Sequence, residues 1–430
     1  VADRRLAGCG AFVLALAAGF AWLTRHPETP WLDRAAGWPL IGTFADRFQT
    51  AWRPPPSAPP APASDGQGGL EVITIWLPPE PAARGRVVAP APAAGLAPPA
   101  PPAPGPPIDR GVEPVLPLPA RRADPARLAR AEALLGTSAR ATTIGPYGFL
   151  GDLDPPPRWA LLADALDGAF AARTGLAPLG EPAETAVAVA DPSAYRELVR
   201  LEPRLAGLDA GGHAAAGMAV VRVDPGAPES TEATLVHELA HFVIRRAIGP
   251  ALPPWLDEGL AEDLAWTPFM AGEARFRLGA LAGSARRAGM RVELAGAWAG
   301  LERLAAAHAA GRLPPLARLV ELDWEGFVPG DDASLRYAEA HFFVRFLLDG
   351  GDPALAAGFR TFLAGVAAGG SAERAALEAA LGDDVESLEP AFRAWLAVRK
   401  ATVVDPVVAA LALRGERVVP AAPPPEPRPE

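Results

Sequence analysis

His237-Glu238-Leu239-Ala240-His241 sets two imidazoles four residues apart with a carboxylate between them. On a helix, positions i and i+4 share a face, about 6 Å apart at Cβ, so both rings can reach one ion. Zinc in a hydrolytic site takes three protein ligands and leaves its fourth position to water. Glu238 projects beside that face, where its carboxylate can take the water's proton. These residue types at this spacing imply metal-assisted hydrolysis, with His237 and His241 as ligands of one Zn2+ ion and Glu238 as general base. With 6 histidines in 430 residues, composition alone gives little reason to expect the pattern.

The helix that must carry this pair is marked at both ends. Asp224-Pro225-Gly226 interrupts the preceding segment, and Ser230 or Thr231 is the expected N-cap. Leu235, Leu239 and Phe242 then recur at helical spacing until Gly249-Pro250 ends the helix. Arg245 and Arg246 fall in the last turn, where positive charge suits the helix dipole. A third ligand has to come from elsewhere, and the nearest good candidate is Glu258. It follows His241 after 16 intervening residues, in a segment, Leu252 to Glu262, that reads as a turn feeding a second helix with Pro254 near its first position. That gap is enough to finish one helix, reverse, and return alongside it.

His-Glu-Leu-Ala-His followed by Trp255-Leu256-Asp257-Glu258-Gly259-Leu260-Ala261-Glu262 resembles the paired signature of the gluzincin metallopeptidases, the peptidase MA-like group. The resemblance implies that Glu258, before the glycine, is the third zinc ligand. Glu262, four residues on and on the same face, is expected to accept the free ring N–H of a zinc histidine, with Asp263 as the weaker option. The developing oxyanion also needs a donor. Tyr337 opens the amphipathic run Tyr337 to Leu348, expected to be a helix closed by Gly350-Gly351. The family carries a tyrosine in a similar downstream helix, which makes Tyr337 the expected donor, with His341, one turn on, sharing or replacing it. In the family a strand just upstream of the zinc helix forms the upper edge of the cleft and pairs with extended peptide. Gly217 to Val223 is expected to be that strand. It contains no acidic residue, unlike the amine-recognition motif of the aminopeptidase branch, so an endopeptidase is the better expectation.

Composition sets the frame around these motifs. The 51 prolines concentrate between Arg53 and Pro119 and again after Pro420, in runs that cannot build a hydrogen-bonded core. Val72 to Leu77 is an apolar island in the first of them, readable as a lone strand or a docking segment. Arg4-Arg5 precedes an uncharged stretch from Leu6 to Leu23, about 27 Å long as a helix, close to a bilayer's hydrocarbon thickness. The expected organisation is a membrane anchor or cleavable signal sequence (1–25), a Pro-rich linker (26–122), a zinc metallopeptidase domain (123–400) and a disordered Pro-rich tail (401–430). The two arginines predict that the chain beyond the anchor faces outward, in the bacterial cell envelope, or is secreted if the N-terminus is cleaved. Cys9 is the only cysteine, so no intramolecular disulfide forms. A net charge of −10 without a basic cluster argues against nucleic acid as a partner. The expected partners are a peptide or protein substrate and the membrane; nothing in the sequence fixes an oligomeric state.

The expected fold class is α+β: a gluzincin-like core with strands in its first half and helices in its second. Helices are expected at Asp124 to Leu135, Trp159 to Thr174, Phe276 to Ala288, Gly300 to Ala310, Ala354 to Ala368 and Glu373 to Val398. Strands are expected at Ala139 to Tyr147 and Ala186 to Ala190. His26, His213 and His308 have no motif around them and read as solvated or capping residues. The competing reading of the whole chain is a non-catalytic envelope scaffold on a metallopeptidase fold; the retention of Glu238 beside the ligands favours the enzyme.

Overall fold

The computed structural model describes residues 71–73, 122–201, 211–268, 276–288, 291–330, 332–413 and 415–419. The expected anchor (1–25), the linker apart from 71–73 and 122, and residues 414 and 420–430 of the expected tail lie outside the described residues. Among the described residues, no helix is long and apolar enough to cross a membrane.

The chain is α+β, with two mixed sheets and a larger helical part. After β1 (Glu71–Ile73), α1 (Pro125–Leu135) begins at a proline and is capped by Asp124, whose carboxylate accepts the Ala126 N–H at 2.9 Å. The single strand expected at Ala139 to Tyr147 is a hairpin, β2 (Arg140–Ile144) and β3 (Tyr147–Gly151). Gly145 makes the turn at φ 53°, and a Cβ there would come within 2.5 Å of the Asp164 carboxylate. Glycine is therefore required where the hairpin tip meets α2 (Pro157–Thr174). Then come β4 (Thr185–Val189), α3 (Pro192–Val199), β5 (Gly212–Ala215) and β6 (Met218–Arg222). These strands form the first sheet in the order β2-β3-β4-β6-β5, parallel at β3/β4 and β4/β6 and antiparallel at both ends.

Two helices follow, α4 (Pro228–Ala247) and α5 (Pro254–Ala265), and then a second sheet. This sheet corrects the expectation of a helix over Phe276 to Ala288: Gly283–Ala288 is β7, paired antiparallel with β8 (Arg291–Ala295). Two glycines explain the difference. Gly279 sits at φ 79°, and Gly283 lies so close to the Trp298 ring that any Cβ would collide with it. Past α6 (Gly296–Ala309), short α7 (Leu316–Glu321) and α8 (Trp324–Phe327) lead to α9 (Ala333–Asp349) and α10 (Pro353–Ala367). The stretch Glu373 to Val398 is two helices, α11 (Arg374–Leu381) and α12 (Val385–Arg399), parted at Gly382, φ 73°.

The expectation of disorder from 401 onward is also corrected. Lys400–Val404 is a π-helical turn, α13 covers Asp405–Leu413, and β9 (Arg417–Val419) pairs parallel with β8. Val404, Val407 and Leu411 are buried, so apolar side chains hold this segment on the core, and the proline run begins only at Pro420. Within the island Val72 to Leu77, β1 covers Val72 and Ile73 and pairs with β7, so the second sheet runs β1-β7-β8-β9; residues 74–77 lie outside the described residues.

Candidate metal centre and cleft

α4 is buried on nearly every side. Leu235, Val236, Leu239, Phe242, Val243 and Ile244 all belong to the main core, between the first sheet, α2 and α5. The helix starts at Pro228, two to three residues before the expected cap, and Ala227 precedes it without a side-chain bond. Thr231 instead sits inside the first turn, where its Oγ1 accepts the Asp224 N–H at 3.0 Å. α5 begins at Pro254, and its backbone passes so close to α9 that a Cβ on Gly259 would lie 2.7 Å from both the Ala340 carbonyl oxygen and Val344 Cγ2. Gly259 thus lets α9 press against α5, which carries Tyr337 to Glu258.

Three side chains from α4 and α5 converge. Nε2 of His237 and Nε2 of His241 are 3.2 Å apart, and Glu258 Oε2 lies 3.2 Å from the first and 3.6 Å from the second. Tetrahedral coordination by N and O donors, with bonds of about 2.0–2.1 Å, separates ligand atoms by about 3.3 Å. The triangle therefore has the size of one face of such a shell. Glu258 Oε2 is also buried without a hydrogen-bond donor, which a cation at the centre of this triangle would remedy. His237, His241 and Glu258 thus form a cluster at metal-binding distance, and the residues fit a divalent ion.

The atoms behind the cluster fix its polarity. His241 Nδ1 is 3.0 Å from Asp257 Oδ1, so its N–H donates outward and its Nε2 lone pair faces the cluster. Asp257, which sequence reasoning passed over, is the partner of His241, while Glu262 faces His237; the signal was its place next to Glu258 in the first turn of α5. Glu262 Oε1 lies 3.5 Å from His237 Nδ1, outside hydrogen-bond geometry, while Glu262 Oε2 accepts the Trp266 indole N–H at 2.7 Å. Asp263 points away from the histidines. It is buried between Arg173 on α2 (2.6 Å) and Arg345 on α9 (2.9 Å), and Arg173 also binds Asp349 at 2.6 Å. This network ties α2, α5 and α9 together beneath the cluster.

Electrostatics distinguish the polar groups. Burial pushes the Glu238 carboxyl up to about 7, against the opposing pull of His237 and His241. Burial presses the His237 imidazole down, but its contact with Glu258 and the charges of Glu262 and Glu238 outweigh this and raise it to about 10. Tyr337 is raised well above the ordinary phenol range, first by burial and then by Glu258, Glu238 and Glu262, so it stays protonated. Its hydroxyl donates to Glu258 Oε1 at 3.4 Å. His341 is buried and pushed down to about 3, by burial first and by Arg345 second. It is neutral, stacked on Phe342, and its Nε2 has no hydrogen-bond partner.

His237, Glu238, His241, Asp257, Glu258, Glu262, Tyr337 and His341 border one cleft of about 1020 Å3, walled by the β5/β6 hairpin, α4, α5, α6 and α9, whereas Asp263 and its arginines lie outside it. β6 was the expected edge strand, but it lies between β4 and β5; the strand at the sheet edge is β5. A Cβ on Gly212 would sit 2.8 Å from Glu238 Oε1, so the β5 backbone passes directly over that carboxylate. The hairpin turn places Ala216 at φ 50° and Gly217 at φ 75°, left-handed conformations that suit a tight antiparallel reversal. β5 was missed because Gly212-His213-Ala214-Ala215 has low strand propensity. His213, expected to be solvated or capping, is buried on β5 and borders the cleft, while His308 is exposed in the last turn of α6. His26 lies outside the described residues.

A scan against protein-family models, a search of curated proteins and a search of solved structures each return no match to the chain.

Proposed function

We propose that the chain is a zinc-dependent peptidase of gluzincin type, with His237, His241 and Glu258 as the ligands of one Zn2+ ion. The observation that carries this reading is the convergence of three ligand atoms, at separations of 3.2, 3.2 and 3.6 Å, beside a buried carboxylate that is not one of them. Bound there, the ion would polarise a peptide carbonyl and bring the pKa of a coordinated water to about 7. Glu238 is the proton carrier: its buried carboxyl borders the three ligands without being one of them, where it can accept a proton from the water and later pass it to the leaving amine. Asp257 keeps His241 in the tautomer that turns Nε2 inward. Tyr337, held protonated, donates first to Glu258 and is placed to turn its O–H to the carbonyl oxygen as charge develops. His341, neutral and with a free Nε2, is the second candidate for that donation.

β5 offers its outer edge to an extended substrate, whose main chain would add as a further strand above Glu238. Pairing of that kind tolerates many side chains. β5 and the hairpin turn to β6 carry no acidic residue, which favours cleavage inside a chain over amine-directed trimming. An N-terminal anchor and a Pro-rich stalk would hold the domain outside the bacterial cytoplasm.

The test is hydrolysis of a mixed peptide library by the purified protein before chelation, after chelation and after zinc is restored. The proposal expects loss and recovery of cleavage. Stoichiometric zinc with no cleavage of any peptide would favour the non-catalytic scaffold.

A further inference from the structure

The cleft wall includes α6 as well as β5, and one of the α6 side chains that line it has no role in the mechanism above. Arg303 borders the cleft with Ala299 and Gly300, its Nε closed to solvent and without a hydrogen-bond partner. Among the described residues, no carboxylate lies within ion-pair distance of it. Glu262 is the one charge that acts on it appreciably, yet both Glu262 oxygens face elsewhere, towards His237 and Trp266. Arg246, another arginine of the same cleft, is already held by Asp167 at 2.6 Å. A partly buried guanidinium whose Nε–H has no acceptor is unfavourable, and its planar fork matches a carboxylate through two parallel hydrogen bonds.

We propose that Arg303 is the specificity-determining residue of this cleft and receives a carboxylate of the bound peptide, an acidic side chain or the C-terminal carboxylate. This rests on the peptidase reading and deepens it: β5 would hold the main chain while Arg303 fixes register through one anionic group. Burial holds the guanidinium below its ordinary pKa, in keeping with a cation that lacks its counter-ion, with Glu262 only partly opposing the shift. Because no ion pair is lost, Arg303→Met should keep the melting temperature of the parent, and Arg303→Lys keeps the charge without the fork.

The experiment uses zinc-loaded, immobilised Glu238→Gln protein, with and without Arg303→Met or Arg303→Lys. It is challenged with short acetylated peptides that contain Asp/Glu or Asn/Gln, each with a free or an amidated C-terminus, and retention is read by mass spectrometry. Carboxylate-bearing peptides should be retained about 30-fold better when Arg303 is present than in Arg303→Met, with Arg303→Lys between them and carboxylate-free peptides unaffected. Loss of the preference on amidation assigns the C-terminal carboxylate; loss on replacing Asp/Glu assigns the acidic side chain. Retention independent of Arg303, an equal fall for all peptides, or no retention at all overturns the proposal. Cleavage of the same peptides by the unmutated protein is scored separately. Arg303-dependent retention without cleavage removes the peptidase reading and leaves the carboxylate site, whereas cleavage without Arg303 preference does the reverse.

Discussion

His241 shows how one hydrogen bond decides what an imidazole can do. With Asp257 at 3.0 Å from Nδ1, the ring presents a lone pair to Glu258 and His237 rather than an N–H. Asp257→Asn keeps the shape but removes the charge that makes His241 a strong donor, so zinc affinity should fall about 10- to 100-fold, read by competition with a chromogenic chelator. An unchanged affinity would remove Asp257 from the site. Proton linkage gives a second expectation for the metal-free protein. His237 is raised from 6.5 to about 10, so the stability it contributes is complete below pH 6.5 and is lost as pH rises through about 10. Asp263 is lowered from 3.8 to about 2, since Arg173 and Arg345 outweigh its burial, so its contribution is lost as pH falls from about 3.8 to about 2. Melting temperature should therefore drop on both flanks, and zinc should flatten the alkaline one, because a ligated imidazole carries no proton to lose. A level alkaline flank without metal would contradict this. At this scale the sequence was most legible for His237, Glu238, His241 and Glu258, whose spacing is itself geometric. Asp257 and Arg303 were illegible because their meaning depends on which way neighbouring helices face.

At the scale of elements, the site is a crossing of α4, α5 and α9, and Gly259 sets how closely the last two meet. A methyl group at Gly259 would press on the Ala340 carbonyl and Val344, and α9 would have to move away from Glu258 with Tyr337. Gly259→Ala should cost about 1–3 kcal/mol in denaturant unfolding and lower turnover more than zinc content. A variant as stable as the parent would show that the contact is slack. The sequence marked α4, α5 and α9 well, because prolines and glycines punctuate them and apolar residues recur at helical spacing. It misled at β7, where alanine and arginine read as helix although Gly279 and Gly283 interrupt the run. It also misplaced the cleft edge on β6, since β-branched residues mark the buried strand while the edge strand over Glu238 must be small.

On the scale of the whole molecule, two sheets and the helices between them bring residues from 184 to 341 around one cleft. The second sheet takes one edge from residues 71–73 and the other from 417–419, both beyond the limits that composition assigned to the domain. Proline density hid these strands, for it marks where a chain cannot build a core but not where a short apolar run docks on one. The proposed hydrolysis depends on a carboxylate that borders the cluster without belonging to it. The most direct test is Glu238→Gln, which leaves His237, His241 and Glu258 untouched. The account predicts one zinc per chain by elemental analysis, unchanged melting temperature, and peptide turnover lowered by about 100-fold or more. Zinc retained together with undiminished turnover would contradict it.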